Sequence, residues 1–318
     1  MTASLSNERH ALLLVAGIVA VLVLATLVGF ALKLTLAGRQ PHDVIDNLNA
    51  RIKAWWVISM VIGVALLAGR AGITLLFALA SFAALREFAM SAPGAHKDRA
   101  LLLASLFLLL PVQYLLVWFE RDGLYALFIP VCALLVLPLL AAVPGRYRDF
   151  LRRAAPVQWG LLLCVYCISY VPALMTLRIP GYDGRNAFLV VFLILVVQTS
   201  DVLQYIWGKL VGRRRIAPAL SPSKTVEGMA GGILSATALG AGLWWITPFT
   251  VAQAALIALA LALLGFLGGL VMSAIKRRRG IKDWGTLIAG HGGMLDRLDS
   301  VCFSAPVFFY VVRGWWVL

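Results

Sequence analysis

The chain has 318 residues, 62% of them hydrophobic and only 13% charged, with a formal net charge of +14. Soluble domains carry about 25% charged residues, and a water-soluble protein of this composition would expose large apolar patches, so that class is excluded. The positive balance does not point to nucleic acid, because no polar stretch is long enough to host a reader domain; basic cytoplasmic loops and contact with anionic lipid account for it.

The apolar residues fall in runs long enough to cross a hydrocarbon core of ~30 Å as helix. Ten runs are expected to be helical, at 11–32, 54–69, 71–85, 100–119, 123–143, 157–177, 187–207, 229–246, 251–272 and 301–317. The first, "HALLLVAGIVAVLVLATLVGFALK", exceeds the usual ~7–15-residue apolar region of a secretory signal and is read as a retained span. The second and third are short and meet at Arg70, as a tilted pair or a hairpin. Cys164 and Cys167 form a C-x-x-C with no His or acid nearby, which reads as packing. No repeat of 20–50 residues is visible. The expected class is therefore all-α, a polytopic integral membrane protein with about ten transmembrane helices. Its expected parts are an extra N-terminal span and basic loop at 1–53, a scaffold at 54–185 and a catalytic region at 186–318.

Alternating sides sorts the loops into two groups. Loops 33–53, 86–99, 144–156, 208–228 and 273–300 hold most of the 28 Lys and Arg. The N-terminus, Arg70, 120–122, 178–186, 247–250 and the C-terminal tail hold the rest. This asymmetry predicts that the first group is cytoplasmic and that both termini are outside.

Chemistry concentrates at the ends of the last spans. Asp201 lies in "LVVQTSDVLQYIWGKL", near the cytoplasmic end of a span, where an ionisable group is a functional candidate. In "SPSKTVEG", Ser221, Ser223, Thr225 and Lys224 are able to cradle phosphate. The same segment reads equally well as a polar turn capping the next helix through Ser223. In "KRRRGIKDWGTLIAGHGGMLDRLDS", Asp296 and Asp299 stand at i, i+3 and share a helix face. Two carboxylates so placed repel unless a cation lies between them, and a divalent metal with oxygen ligands is the natural solution. Asp283 is near enough in sequence to join. Glu227 is the remaining acid of these two loops. The run Lys276–Arg279, His291 and the Gly292–Gly293 pair complete the polar set expected around a polyphosphate.

This segment, together with Ser273, resembles the signature of the phosphatidate cytidylyltransferases, also called CDP-diacylglycerol synthases. Ser273, Lys276, Arg277, Lys282, Asp283, His291, Gly292, Gly293, Asp296, Arg297 and Asp299 fit the family pattern. "SPSKTVEG" resembles the family's Ser-Pro-x-Lys-Thr-x-Glu-Gly stretch, and Asp201, Tyr205, Gly208 and Lys209 resemble the stretch before it. The resemblance covers residues 190–312 by motif. It departs at Ala289, where the family has Pro, and in "GGLVMS", where Gly269 and Met272 replace an Asp and a Glu. Loss of that Asp implies a rearranged metal shell, a different lipid acceptor or weak activity, with Asp201 a candidate to take over part of the coordination.

The resemblance implies a membrane nucleotidyltransferase of phospholipid synthesis that joins CTP and phosphatidate into CDP-diacylglycerol and pyrophosphate. Its alternatives are a cytidylyltransferase or CTP-dependent kinase for another lipid, a catalytically silent relative, or a transporter. The implied catalytic residues are Asp201, Lys224, Lys282, Asp283, His291, Asp296, Arg297 and Asp299. Ser221, Ser223, Lys224, Thr225, Lys276, Arg277, Gly292 and Gly293 are implied in substrate binding. Mg²⁺, with room for a second cation, is implied at Asp201, Asp283, Asp296 and Asp299. The partners expected are CTP, phosphatidate or a related lipid phosphate, the bilayer and a second copy as a homodimer, and no nucleic acid. The location expected is a bacterial-type inner membrane with the site on its cytoplasmic side.

Overall fold

A computed structural model describes residues 2–35, 43–91, 99–142, 150–285 and 292–317. In chain order the helices are α1 (Thr2–Thr35), α2 (Asp43–Leu67), α3 (Gly69–Met90), α4 (Arg99–Ala104), α5 (Leu110–Trp118), α6 (Asp122–Val131), α7 (Leu137–Ala142), α8 (Phe150–Leu161) and α9 (Ile168–Ala173). They continue with α10 (Asn186–Leu210), α11 (Val226–Gly242), α12 (Val251–Arg278) and α13 (Leu295–Trp316). The pairs α4–α5, α6–α7 and α8–α9 are single rods, each interrupted by a π-helical turn, at Ser105–Leu109, Cys132–Val136 and Leu162–Cys167. Among the described residues eight helical stretches are long and apolar enough to cross a membrane. The shorter α11 and the charge-bearing α13 fill the eighth and tenth expected positions. The protein is an all-α polytopic membrane protein. Sheet among the described residues is limited to one antiparallel pair, β1 (Arg215–Ala217) and β2 (Ser221–Thr225).

The second and third spans are longer than their apolar runs. Arg51 and Lys53 lie within α2, and Arg86 and Glu87 within α3, because helix continues past the hydrocarbon wherever backbone bonds can be kept internal. The two helices form a hairpin about Gly69, whose φ of 64° suits a residue without a side chain.

Close packing of α10 on α11 sets up the functional end. A methyl group at Gly232 would fall 2.6 Å from the backbone N of Gln204, so only Gly lets the two backbones approach this far. Gly228, Gly232, Ala236 and Gly240 recur every four residues along the buried side of α11. Around them α10, α11, α12 and α13 pack as one group, and α13 also packs on α3 and α9. The C-x-x-C thiols are free, and Cys164 is buried in this core, as packing predicts.

Side-chain contacts gather several of the loops at two ends of the bundle. At one end, Arg70 donates to Glu120 at 2.6 Å and Arg178 donates to it at 3.1 Å. Glu120 itself has φ 54°. Nearby, Arg185 reaches His10 and the Trp245 carbonyl. At the other end, Arg279 donates to Ser91, Arg277 to the Leu220 carbonyl, and Glu87 accepts from the start of α13.

Candidate active site

The site forms at the second end, where α10, β2, α12 and α13 meet. Asp201 on α10 and Asp299 on α13 lie near enough to repel, with Ser300 beside them. The Ser300 N–H also donates to Asp299 Oδ1 at 2.8 Å. The N-terminal turn of α13 brings Asp299 here, while Gln198, one turn before Asp201, donates to the Arg297 carbonyl at 2.9 Å and locks the two helices in register.

Lys224 enters from β2. Its ammonium lies 4.7 Å from the Phe266 ring centroid and would be 2.8 Å from a methyl at Gly269. It occupies the space that a side chain at 269 would need. Burial pulls the Lys224 ammonium below the ordinary lysine range, against the attraction of Asp201 and Asp299. The hairpin holds Lys224 in place through Thr225, whose Oγ1 accepts from Gly228 N at 3.1 Å and caps α11. The cap is therefore Thr225, not Ser223: Thr225 has the extended backbone (φ −118°, ψ 157°) of an N-cap, and Ser223 lies two residues further up the strand, exposed. Glu227 accepts from the N–H groups of Arg213 and Arg214, which hold its carboxyl below the usual glutamate range.

Asp296 has a different surrounding from Asp299. Lys276 donates to its Oδ1 at 2.7 Å, with both side chains largely buried. Its Oδ2 accepts from Trp284 N and Gly293 N, each at 2.9 Å. Both oxygens are thus engaged in tying the 281–285 loop and the Gly pair to α13. Gly292, at φ 82°, sits between Asp296 and Asp283, and a methyl there would fall 2.7 Å from Asp296 Oδ2. Asp283, Lys282, Arg277 and Ser223 are exposed at the rim, and Ser221 is half-buried on β2. His291 lies outside the described residues.

Glu87 was not singled out in the sequence. From α3 it accepts from Met294 N at 2.9 Å and Leu295 N at 3.0 Å, placing a carboxylate on the N-terminus of α13. A helix N-terminus carries unsatisfied N–H groups and positive potential, so this carboxylate serves as a cap from a distant helix. A methyl at Gly293 would fall 2.6 Å from Glu87 Cδ, so Gly293 makes room for it. Beside it Arg279 lies 3.9 Å from the Phe88 ring centroid, and Phe88 stacks on Trp284 at 5.1 Å. A lone Glu at the end of an apolar run carries no signal in sequence that its partners are 207 residues away.

Among the described residues no three His, Cys, Asp or Glu converge into a ready metal cage. The pair that fits a cation is Asp201–Asp299. Two desolvated carboxylates held together repel, and an oxygen-liking divalent ion removes the repulsion.

The sequence pattern of the Cytidylyltransferase family matches residues 49–315, most of the chain. The chain belongs to that family. It is 38% identical over 297 residues to an uncharacterized protein, YnbB, of Escherichia coli K12, covering 92% of this chain and 95% of that one. It is 34% identical over 217 residues to the phosphatidate cytidylyltransferase of Bacillus subtilis 168, covering 67% of this chain and 76% of the relative. A phosphatidate cytidylyltransferase of Synechocystis is 42% identical over a shorter stretch of 118 residues, 36% of this chain and 40% of that one. Membership makes the protein a nucleotidyltransferase-type membrane protein of lipid metabolism, and the residues that converge structurally lie within the matched range.

Proposed function

We propose that the protein transfers the cytidylyl group of CTP to phosphatidate, giving CDP-diacylglycerol and pyrophosphate. The observation that carries this reading is the meeting of Asp201, Asp299 and Lys224 at one end of a helical bundle, inside the family's matched range. Such a site faces an anionic nucleotide in water while the acceptor's tails stay in the bilayer.

In the reaction an oxygen of the phosphatidate phosphate forms a bond to the α-phosphorus of CTP. The bond from that phosphorus to the bridging oxygen breaks, and pyrophosphate leaves with the electron pair. Little covalent chemistry is asked of the protein; positioning and charge balance supply most of the catalysis. Asp201 and Asp299 would hold Mg²⁺, which would supply neutralisation of phosphate charge and polarisation of the reacting phosphorus. Asp283 stands at the rim as a further oxygen donor. Lys224 balances phosphate charge from the interior, and Arg277 and Lys282 do so from the rim. Lys276 and Asp296 act as a pair that fixes the loop before α13, and Arg297 lies among the three acids of α10 and α13. The backbone of Gly292 and Gly293 lines the approach.

The protein resides in a bacterial inner membrane with this end in the cytoplasm and both termini outside. The test of sidedness is single-Cys labelling at Arg178, Arg214 and Arg278: Arg214 and Arg278 react from the cytoplasmic side and Arg178 from the other. The test of activity is purified protein with α-labelled CTP, phosphatidate and Mg²⁺. Labelled lipid with release of pyrophosphate is expected. Free CDP with a phosphorylated lipid would replace the reading by a lipid kinase, and no transfer to any lipid phosphate would refute it.

A further inference from the structure

The β1–β2 hairpin has two faces, and the site uses one of them. From Lys209 to Val226 the chain carries the bases Lys209, Arg213, Arg214, Arg215 and Lys224, and no acid. Lys224 turns into the site, toward Phe266 and Gly269. Arg215 stands opposite Thr225 in the strand pair, so those two side chains share the other face. That face is turned to the seam between α10 and α11: a methyl at Gly212 would fall 2.6 Å from Thr225 Oγ1, and one at Gly228 would fall 2.9 Å from it.

Arg213, Arg214 and Arg215 are all exposed. Among the described residues none of their guanidiniums forms an ion pair within contact distance. Glu227 lies close and attracts Arg214, but its bonds run to the backbone N–H groups of Arg213 and Arg214, and its single charge meets three. The hairpin backbone is held at both ends. Val226 N donates to the Arg214 carbonyl at 2.8 Å, and Arg277 holds the turn through the Leu220 carbonyl.

Beside the three arginines the surface is apolar. Trp207 lies across the seam against Gly231, with its Nε1–H donating to Ser235 at 3.1 Å, and stays partly exposed. Leu210 and Val211 follow on the same side of α10 and are exposed, and Val226 and Leu234 are exposed along α11. In a bilayer these side chains face acyl chains, and the arginines stand at headgroup level. A cluster of bases directly beyond the end of a span attracts anionic headgroups, and here the surface for the tails continues from it.

We propose that the outward face of the hairpin, through Arg213, Arg214 and Arg215, binds the headgroups of anionic phospholipids in the adjoining leaflet. This lipid is not the acceptor, because it sits on the opposite face of the hairpin from Lys224, and a phosphodiester headgroup satisfies it. The binding rests on the geometry alone; its effect on turnover rests on the proposed function. Three guanidiniums on one loop repel, and anionic headgroups remove that repulsion. The same strand pair carries Lys224, so an occupied outward face steadies Lys224 at the carboxylate pair, and turnover rises with the anionic fraction of the bilayer.

The experiment compares the full-length wild type with the triple variant Arg213→Gln, Arg214→Gln, Arg215→Gln, the corresponding triple Lys variant and the single variant Arg215→Gln, with thermal stability measured for each. The binding arm is native mass spectrometry of protein offered phosphatidylglycerol and phosphatidylcholine together. Wild type retains phosphatidylglycerol in preference, and the preference falls about 5-fold for each guanidinium removed. The triple Lys variant keeps it, and the single variant reads one step of the fall should the triple Gln variant not fold. Equal retention of the two lipids by wild type, or a preference unchanged in the Gln variants, overturns the proposal. The activity arm uses nanodiscs with phosphatidate held fixed and phosphatidylglycerol replacing phosphatidylcholine. Labelled-lipid formation rises in wild type and stays flat in the triple Gln variant. A wild type indifferent to phosphatidylglycerol overturns the coupling to Lys224, and a raised KM for CTP in the Gln variants whatever the bilayer charge would assign the arginines to the nucleotide instead. Should no labelled lipid form at all, the catalytic reading falls and the binding arm still decides the surface.

Discussion

The two ends of the helical bundle use charge differently. At the Arg70 end, Glu120 lies between Arg70 and Arg178, opposite charges in contact and partly exposed. At the Asp201 end an opposite pair, Lys276–Asp296, stands beside two like charges brought together, Asp201 and Asp299. Opposite pairs at a membrane surface are self-sufficient and contribute little beyond holding loops together. Like charges held together are costly in isolation and become favourable once a ligand of the other sign arrives. The contrast separates a structural end from a working end without appeal to any motif.

The comparison predicts its largest effect at the carboxylate pair. Asp299→Ala and Asp201→Ala each lower turnover by on the order of 100-fold or more, the scale of losing one charge-stabilising group in a preorganised site, while the fold survives because each removes a repulsion. Binding of Mn²⁺, read by electron paramagnetic resonance, weakens in parallel. A variant that keeps full activity and Mn²⁺ binding would assign the pair a packing role.

Glu87 comes second. Glu87→Gln removes the negative charge from the N-terminus of α13, a loss of about 1–2 kcal/mol. Because α13 carries both Asp296 and Asp299, kcat drops about 10-fold at that energy, with melting temperature lowered as well. Lowered melting temperature with unchanged kcat would show that α13 keeps its place without the cap.

How much of this was legible in the sequence differs by scale. Hydropathy located the spans because lipid makes apolar length a hard requirement. It misjudged α2 and α3 because their ends carry Arg51, Lys53, Arg86 and Glu87, which a hydropathy pattern counts as loop. Asp201 was legible as an ionisable group at a span's end. That its partner is Asp299 and that Asp296 is engaged by Lys276 was not, because the i, i+3 spacing gives a shared face and says nothing of what each carboxylate meets across it. The capping role of Glu87 depends on helices far apart in sequence, and only packing reveals it.

Gly269 tests the boundary between cost and ligand more finely. Lys224 already stands where a side chain at 269 would go, and it is the flexible end of that side chain that must yield. In Gly269→Asp the new carboxylate takes the Lys224 ammonium as its partner. Lys224 is thereby drawn away from Asp201 and Asp299, which then bind cation more tightly. Half-saturating Mg²⁺ falls roughly 3–10-fold, the scale of weakening one cation's competition at short range. Activity that vanishes with Mg²⁺ affinity unchanged would mean that Lys224 is needed at its present position for substrate and does not compete with the metal.

The smallest effect belongs to the Arg70 end. Burial pushes the Glu120 carboxyl up, but the hydrogen bonds from Arg70 and Arg178 outweigh it and hold the group below the usual glutamate range. A carboxyl with a depressed folded pKa contributes stability that is fully present above the unfolded value of 4.5 and is lost as pH falls through the folded value. Glu120→Gln therefore lowers stability slightly near neutral pH, by at most about 0.5 kcal/mol given that Arg178 is exposed and Arg70 partly so, and the gap to wild type closes on acidification well below pH 4.5. Thermal unfolding in detergent across that range measures it, and CTP-dependent turnover at neutral pH is unchanged. A large loss of turnover in Glu120→Gln would couple the two ends of the bundle, and the division between a structural and a working end would then fail.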